Sequence, residues 1–457
     1  MVYPTKMALP LNRNPPETMW IDMNSSFART EQQAHVLMRD KPVGVGKYTT
    51  PNGPVISPST EAKKLGIKTA HTVRDCKLLC PEIVIVKSDP PKYREMHRRL
   101  VRIFREWSPD VLGKSIDEAC ICFERSPALK RYTMEEIALK IKQQIRERCG
   151  SYITVSIGIG TNQFLAKTAA GLVKPDGLSR IDHANLRQVY SQLALTDLCG
   201  INTRNEARLN MGGIYTPLDF LEADPHYLQQ RVFGSILGHY WSLMLRGFEY
   251  QKYEGPERRT FGNSHSIREQ TADPRPNLGI VCTLCDKASR RMRRDRFSCR
   301  SVSVLLVYLD GTHFKKRMTI DTPLYTTGEV FRIATLLFNR QPRMQAVHKI
   351  GVRLSLLEPG AQEQMNLFDD PETKRRRSMD AVDRLNDRYG EQVVYLAPMH
   401  GAKNRIDDSI SFGSTGDVED LYAEEDSFPV IDAVPDDYLL REWEALDPLA
   451  EVDTHCR

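Results

Sequence analysis

The sequence predicts a multidomain chain combining α/β and α+β parts. Three observations carry that expectation. Strands and helices alternate from residue 17 to 175, the pattern turns mostly helical from about 185 to 250, and a second strand–helix pattern fills 261–358. At 457 residues the chain exceeds one ordinary core, so two to four domains and a tail are expected.

The elements follow in order. "ETMWIDM" reads as a short buried strand, and helical spacing runs from about Phe27 to Arg39. "KPVGVGKY" is a strand, "PNGP" a turn, and "EAKKLGIKTAHTVRDCKLLCP" mostly helix ending at Pro81. "EIVIVKS" is a strand. "YREMHRRLVRIFREWS" is an amphipathic helix with Leu100, Ile103, Phe104 and Trp107 on one side. An acidic strand, "KSIDEACICF", precedes a helix at 134–148, the strand "YITVSIGIG" and the helix "NQFLAKTAAGLV", which "KPDG" ends. "QKYEGPERRT" reads as a linker before "SVSVLLVYLDG", "TTGEVFRIATLLFNRQ" and "HKIGVRLSLLEP", a strand, a helix and a strand. Beyond about 369 the chain is charged and weakly periodic. "SMDAVDRLNDRYG" is compatible with a helix, and the acidic end is expected to be disordered.

Charge is polarised along the chain. Residues 416–457 hold fourteen acidic and two basic side chains, which leaves the first 415 residues with 62 basic and 45 acidic ones. A basic body suits a polyanion such as nucleic acid. No run of eighteen apolar residues exists and the start lacks an apolar signal core, so a cytoplasmic protein without a membrane partner is expected. The ten cysteines are scattered. The tight pair Cys282-x-x-Cys285 falls in helical sequence and reads as core packing, because a zinc site needs four ligands.

Asp117 and Glu118 interrupt an apolar strand, and Asp22 ends the first one. Neighbouring strand residues point to opposite faces, so a carboxylate pair acting together needs a bend, and a hairpin turn is expected there. Three carboxylates brought together repel unless cations neutralise them, and divalent metal is the natural solution; unrelated strand-end acids are the competing reading.

Four segments in order, "WIDMNSSFARTE…KPVGV", "EAKKLGIKTAHTVRDCKLLCP", "YREMHRRLVRIFREWSPDVLGKSIDEA" and "SIGIGTNQFLAKTAAGLVKPDG", resemble the hallmark segments of Y-family, translesion DNA polymerases. The resemblance covers roughly 17–360. It implies a right-hand polymerase: an extension (1–16), a palm (17–27 and 82–175), fingers (28–81), a small helical thumb (176–250), a linker (251–260) and a little finger (261–360). A clamp-binding segment (361–370) and a tail (371–457) would follow. It also implies two Mg²⁺ ions held by the catalytic acids Asp22, Asp117 and Glu118 with the Met23 carbonyl. Phe27 falls on the steric gate that excludes a ribose 2′-hydroxyl, although such a residue is more often ordinary core. Ser57, Thr60, Lys63 and Lys167 fall on nucleotide-binding positions. Leu165, Ala169 and Leu172 form the expected buried stripe of Lys167's helix, and Lys167 lies about 200° around from Leu165.

Departures accompany the resemblance. Asn24, Ser25 and Ser26 stand where many members have a third acid and two aromatics, and Thr60 and Lys63 replace a tyrosine–arginine pair. Asn24 and Lys63 look more like the polymerase V catalytic subunit than polymerase IV. "LTDLCGINTRNEARLNMGGI" resembles a helix-hairpin-helix, with Gly200 and a left-handed-tolerant Asn202 at a DNA phosphate. Seven basic residues crowd 287–300, and Arg290, Arg291, Arg293 and Arg294 are candidate DNA contacts; a solvated helix face is the plainer alternative. "QMNLF", with Gln364, Leu367 and Phe368, resembles the motif that binds the bacterial sliding clamp. "KRRR" at 374–377 is compatible with a targeting signal or a DNA-contacting patch, and the neighbouring clamp motif favours the patch. The function implied is low-fidelity translesion synthesis on primer-template DNA with dNTP, in a bacterial cytoplasm and at the nucleoid. The alternatives are a catalytic subunit needing accessory mutagenesis proteins, an inactive scaffold, and a nucleotide cyclase.

Overall fold

The computed structural model describes residues 9–250, 260–267, 270–342, 345–359, 371–390 and 392–402, with Ile406 and Ile410. The sequence forms two compact units that divide near residue 256, and Ile410 belongs to the first.

In the first unit the chain runs β1 (Thr18–Met23), α1 (Ser26–Ala34), β2 (Val43–Gly46), β3 (Val55–Pro58), α2 (Thr60–Lys64), α3 (Val73–Leu79), β4 (Val84–Lys87), α4 (Pro90–Arg105), β5 (Asp110–Gly113), β6 (Glu118–Cys122), α5 (Met134–Cys149), β7 (Val155–Gly160), α6 (Gln163–Leu172) and β8 (Leu178–Ile181). The helices α7 (Leu186–Tyr190), α8 (Thr203–Met211), α9 (Pro217–Glu222), α10 (Pro225–Tyr227) and α11 (Leu237–Met244) follow. Five strands form a large sheet in the order β5-β6-β1-β7-β8, and β2 lies between β3 and β4 in a small one.

Strand alternation decides what each face of the large sheet carries. Met19, Ile21, Ala119, Ile121, Ile157 and Ile159 pack with Leu100, Ile103 and Phe104 of α4 and Ile137, Ile141 and Ile145 of α5. The four-residue spacing of the isoleucines gives α5 one apolar stripe, and a reciprocal cap between Thr133 and Glu136 starts the helix. Truncating Ile141, fully buried there, would cost about 2–5 kcal/mol.

On the opposite face Trp20 and Cys120 meet Ala166 and Ala170 of α6. The approach is close enough to need glycine in β7: a Cβ on Gly158 would lie 2.0 Å from the Ala166 carbonyl oxygen. Thus "SIGIG" alternates isoleucines toward one helical layer with glycines toward the other. Leu165 and Ala169 turn toward the helical region after β8, while Leu172, expected in the same stripe, is exposed.

Two short parallel strands fall outside their expected regions. β4, placed with the palm by the resemblance, pairs with β2 in the small sheet. β8, placed with the thumb, extends the large sheet beside β7. The residues before β1 pack on the helical region: Asn12 Nδ2 donates to the Gly247 carbonyl at 2.8 Å, and buried Arg246 donates to Leu9 O at 3.0 Å.

The second unit contains β9 (Thr260–Ser266), α12 (Pro274–Arg294), β10 (Phe297–Tyr308), β11 (His313–Leu324), α13 (Thr327–Phe338), β12 (Val347–Pro359) and α14 (Pro371–Tyr389). Its antiparallel sheet has the order β11-β10-β12-β9. Val302, Val304, Leu306, Val352 and Leu354 point to one face, against Val281, Leu284, Ala288 and Met292 of α12 and Val330 and Leu337 of α13. Cys282 and Cys285 are fully buried, and burial pushes the Cys282 thiol up to about 12, which fits packing rather than metal binding. Among the described residues no helix is long and apolar enough to cross a membrane.

Candidate active site

Asp22 and Glu118 are direct cross-strand partners on β1 and β6. Both alternate with residues of the buried α4/α5 face, so both side chains lie on the α6 side. Asp117 sits in the tight turn joining β5 to β6, where Lys114 N donates to the Glu118 carbonyl at 2.9 Å. The expected hairpin is present, and it removes the pleat problem because Asp117 precedes the regular strand. Met23 N donates to the Asp117 carbonyl at 2.8 Å, tying the turn to the end of β1. From α4, buried His97 meets the Ile116 carbonyl through Nδ1 at 3.0 Å.

Each acid has its own partner. Lys174, just beyond α6, donates to Asp22 Oδ2 at 2.6 Å. Lys167 on α6 donates to Glu118 Oε2 at 3.0 Å and lies 4.7 Å from the Trp20 ring centroid. Burial works against the Lys167 ammonium, but the Glu118 charge and hydrogen bond outweigh it and raise its pKa. Ser115 Oγ donates to Asp117 Oδ1 at 2.5 Å. Burial nevertheless raises the Asp117 pKa, and the charges of Glu118 and Asp22 add to the rise.

Turned toward separate partners, the acids form no tight cluster: among the described residues no three His, Cys, Asp or Glu side chains converge as metal ligands. The donor chemistry still fits Mg²⁺, since three carboxylates and the Met23 carbonyl are all hard oxygen donors. The raised pKa of Asp117, to which the Glu118 and Asp22 charges contribute, is a cost that a bound cation would relieve.

Lys174 had no signal in the sequence beyond its place in "KPDG", which read as a helix terminator. Its position depends on Asn24. That amide donates to Ser156 Oγ at 3.0 Å and accepts from Asp176 N at 2.8 Å, pinning the loop that carries Lys174. A carboxylate could accept from Asp176 but could not donate to Ser156. The residue that departs from the family's third acid therefore has a structural task here.

Phe27 is buried in α1, stacked on Tyr93 of α4 with centroids 4.2 Å apart and planes 9° apart. Ala28, Val45 and Ile116 complete this cluster, and Ile56 and Ile410 pack against it. Ser57, buried in β3, accepts from Ala28 N at 3.5 Å, next to Phe27. Thr60 opens α2, whose cap is Ser59. Lys63 on α2 is accessible, yet desolvation and the Lys174 charge lower its pKa while Asp22 and Asp117 oppose the shift. The structure thus brings Lys63 and Lys174 within electrostatic reach of the acids.

Gly200 takes the left-handed conformation, φ 90°. Asn202 does not, contrary to its expected role: at φ −103° it caps α8, accepting from Asn205 N at 3.1 Å.

The basic run on α12 has its partners inside the chain. Arg293 is buried and donates to both carboxylate oxygens of Asp383 on α14, at 2.6 and 2.9 Å, and to the Tyr325 carbonyl at 3.2 Å. Arg290 pairs with Asp387. Arg291 donates to the Gly262 carbonyl at 2.9 Å and Asn263 Oδ1 at 2.8 Å. The expectation of a DNA-gripping run fails for Arg293, which is enclosed, and only Arg294 of the four stays well exposed. A different basic surface lies on the sheet face away from α12 and α13. There Arg317, Ser303 and Arg353 form one cross-strand row, with Lys315 in the next. Of the "KRRR" patch, Arg376 lies 5.2 Å from the Tyr325 ring centroid, while Arg375 and Arg377 are exposed. Gln364, Leu367 and Phe368, and the acidic end, lie outside the described residues.

Comparison with known proteins fits this architecture. The impB/mucB/samB family model matches residues 21–171, and the model of that family's C-terminal domain matches 258–367. The chain is 33% identical to DNA polymerase IV of Pelotomaculum thermopropionicum, across 82% of this chain and 93% of the relative. It is 33% identical to that of Moorella thermoacetica, across 82% and 94%. A chimera of the Y-family polymerases Dbh and Dpo4 shares the fold with TM-score 0.65 at 23% identity, covering 74% of this chain and 98% of the chimera. An insertion ternary complex of Dbh polymerase matches with TM-score 0.55. The two matched domains, the full-length relatives and the shared fold establish that the chain belongs to the impB/mucB/samB family, the Y family of translesion DNA polymerases.

Proposed function

We propose that this polymerase catalyses low-fidelity synthesis across damaged template bases by metal-assisted nucleotidyl transfer. Asp22, Asp117 and Glu118 are its catalytic carboxylates. The observation that carries the assignment is the direct opposition of Asp22 and Glu118 on neighbouring strands, with Asp117 in the adjoining turn. With Met23 they would hold two Mg²⁺ ions. Bound there, Mg²⁺ would supply Lewis-acid stabilisation of charge on the transferring phosphoryl group and lower the pKa of the primer 3′-hydroxyl.

The lysines have the complementary task. Lys174, Lys167 and Lys63 surround the acids with positive charge, which suits the triphosphate of an incoming dNTP. Phe27 is the steric gate, and Ser57 and Thr60 line the nucleotide side. Primer-template DNA is held by backbone contacts, through the Gly200–Asn202 hairpin, Arg294 and the basic sheet face of Lys315, Arg317 and Arg353. Gln364, Leu367 and Phe368 bind a sliding clamp, which suits a cytoplasmic, nucleoid-associated enzyme induced by DNA damage. Relatives that carry an enzyme's name argue against an inactive scaffold.

The test is primer extension by the purified full chain on damaged and undamaged templates. Incorporation with Mg²⁺ and none with chelator is expected. Failure to incorporate on any primed template, with or without accessory proteins, would overturn the proposal.

A further inference from the structure

Behind Phe27 lies a closed circuit of contacts. The Phe27 ring stacks flat on Tyr93, at 4.2 Å and 9°. The Tyr93 hydroxyl donates to Glu31 Oε1 at 2.8 Å. Glu31 stands four residues after Phe27 on α1, hence on the same helix face one turn on. One helix therefore supplies both an aromatic ring and the anchor of the ring that backs it.

The anchor is a carboxylate with only 1% of its side chain exposed. Burying such a charge is costly unless it is paired and hydrogen-bonded. Lys92, adjacent to Tyr93, provides the pair through Nζ to Glu31 Oε2 at 2.8 Å. Glu31 thus clamps two successive residues of α4 with its two oxygens. A plain apolar packing of Phe27 needs no buried ion pair. What the pair adds is direction: a tyrosine tethered at its hydroxyl cannot slide along the plane of the stack.

We propose that Glu31 is a positioning residue for sugar selection, acting through Tyr93 to hold the Phe27 ring against displacement by a ribose 2′-hydroxyl. The role rests on the reading of Phe27 as the gate. An untethered Tyr93 leaves the stack in place but soft, and a soft gate yields to ribonucleotides while still admitting deoxynucleotides.

The experiment measures kcat and KM for single insertion of a dNTP and the matching rNTP by full-length Phe27→Ala, Tyr93→Phe, Glu31→Ala and Glu31→Gln. Phe27→Ala should relax discrimination most. Tyr93→Phe keeps the ring and removes only the tether, and Glu31→Ala removes its acceptor. Each should relax discrimination about tenfold, the size of one hydrogen bond to a charged group, through rNTP insertion with dNTP kcat preserved. Glu31→Gln retains an acceptor and should recover most of the discrimination. The double variant Tyr93→Phe/Glu31→Ala should be no worse than either single change. Tyr93→Phe breaks no charge pair, so it decides the matter even if Glu31→Ala does not fold. Unchanged discrimination in Tyr93→Phe, with Phe27→Ala relaxed, overturns the role of Glu31. Unchanged discrimination in Phe27→Ala overturns the gate itself.

Discussion

Two charged clusters stand out in the sequence, the acids Asp22, Asp117 and Glu118 and the arginines of α12, and the structure treats them in opposite ways. The acids lie where two strands and a turn meet, and the counter-ions of Asp22 and Glu118 are single lysines. Lys174 is 44% exposed and Lys167 32%. The Arg293 side chain is 1% exposed, and Asp383 grips one edge of its guanidinium with both carboxylate oxygens. A lysine that reaches solvent can exchange its partner at little cost, whereas an enclosed, forked ion pair cannot. Charge available for a ligand and charge committed to the fold are told apart by burial and bond geometry, not by their density in the sequence.

The strongest way to break this comparison is at the acids. Asp117→Ala or Glu118→Ala should lower incorporation at least about a thousandfold, the scale for removing a principal charge-stabilising group, with DNA binding and folding retained. Primer extension with a gel-shift control checks it, and near-normal incorporation by either variant would remove that residue from the catalytic set.

Arg293→Ala should do the reverse. Leaving Asp383 without its partner should cost about 3–5 kcal/mol of stability, read by urea unfolding, whereas Arg294→Ala should change stability little. If Arg293→Ala unfolds like the parent and weakens DNA binding, the arginine belongs to the DNA surface after all.

His97 sharpens the contrast from within the acid site, because it supports the turn carrying Asp117 without any charge. Burial depresses its pKa to about 4, although the Ile116 carbonyl pulls the other way. The folded pKa lies below the unfolded one, so the folded state resists protonation. Stability is full above pH 6.5 and is lost as pH falls toward 4, by about 3 kcal/mol in total. Denaturant midpoints measured across that window should drop more steeply for the parent than for His97→Gln.

How much of this was legible beforehand depended on how local each signal was. The large sheet, the α5 stripe and the hairpin at Asp117 follow from alternation and helical spacing, which a few residues express. The short parallel strands β4 and β8 do not reveal which sheet they join, since each is decided by residues more than a dozen positions away. Asn24 marked a departure from the family, but its task needs Ser156 and Asp176, both over a hundred residues on. The partners of α12 lay in Asp383 and Asp387, which with Asp380 are spaced three and four apart as one helix face. That acidic stripe was the available clue, hidden by a region that read as a charged tail. Tyr325 OH completes it, donating to Asp380 Oδ1 at 2.6 Å.

The smallest effect on stability should come from Lys174, where the contrast with Arg293 is most direct. Both are basic side chains paired to one aspartate, and a count of ion pairs would rank them equally. The Lys174–Asp22 pair is half open to water, so Lys174→Met should change unfolding free energy by about 1 kcal/mol or less. Removing this cation from beside a dNTP triphosphate should instead raise the nucleotide KM, with kcat affected less. Asn24→Asp, which keeps the acceptor for Asp176 but loses the donor to Ser156, should shift KM in the same direction by loosening the loop. A Lys174→Met variant that loses several kcal/mol and keeps its KM would place Lys174 with Arg293, as charge committed to the fold.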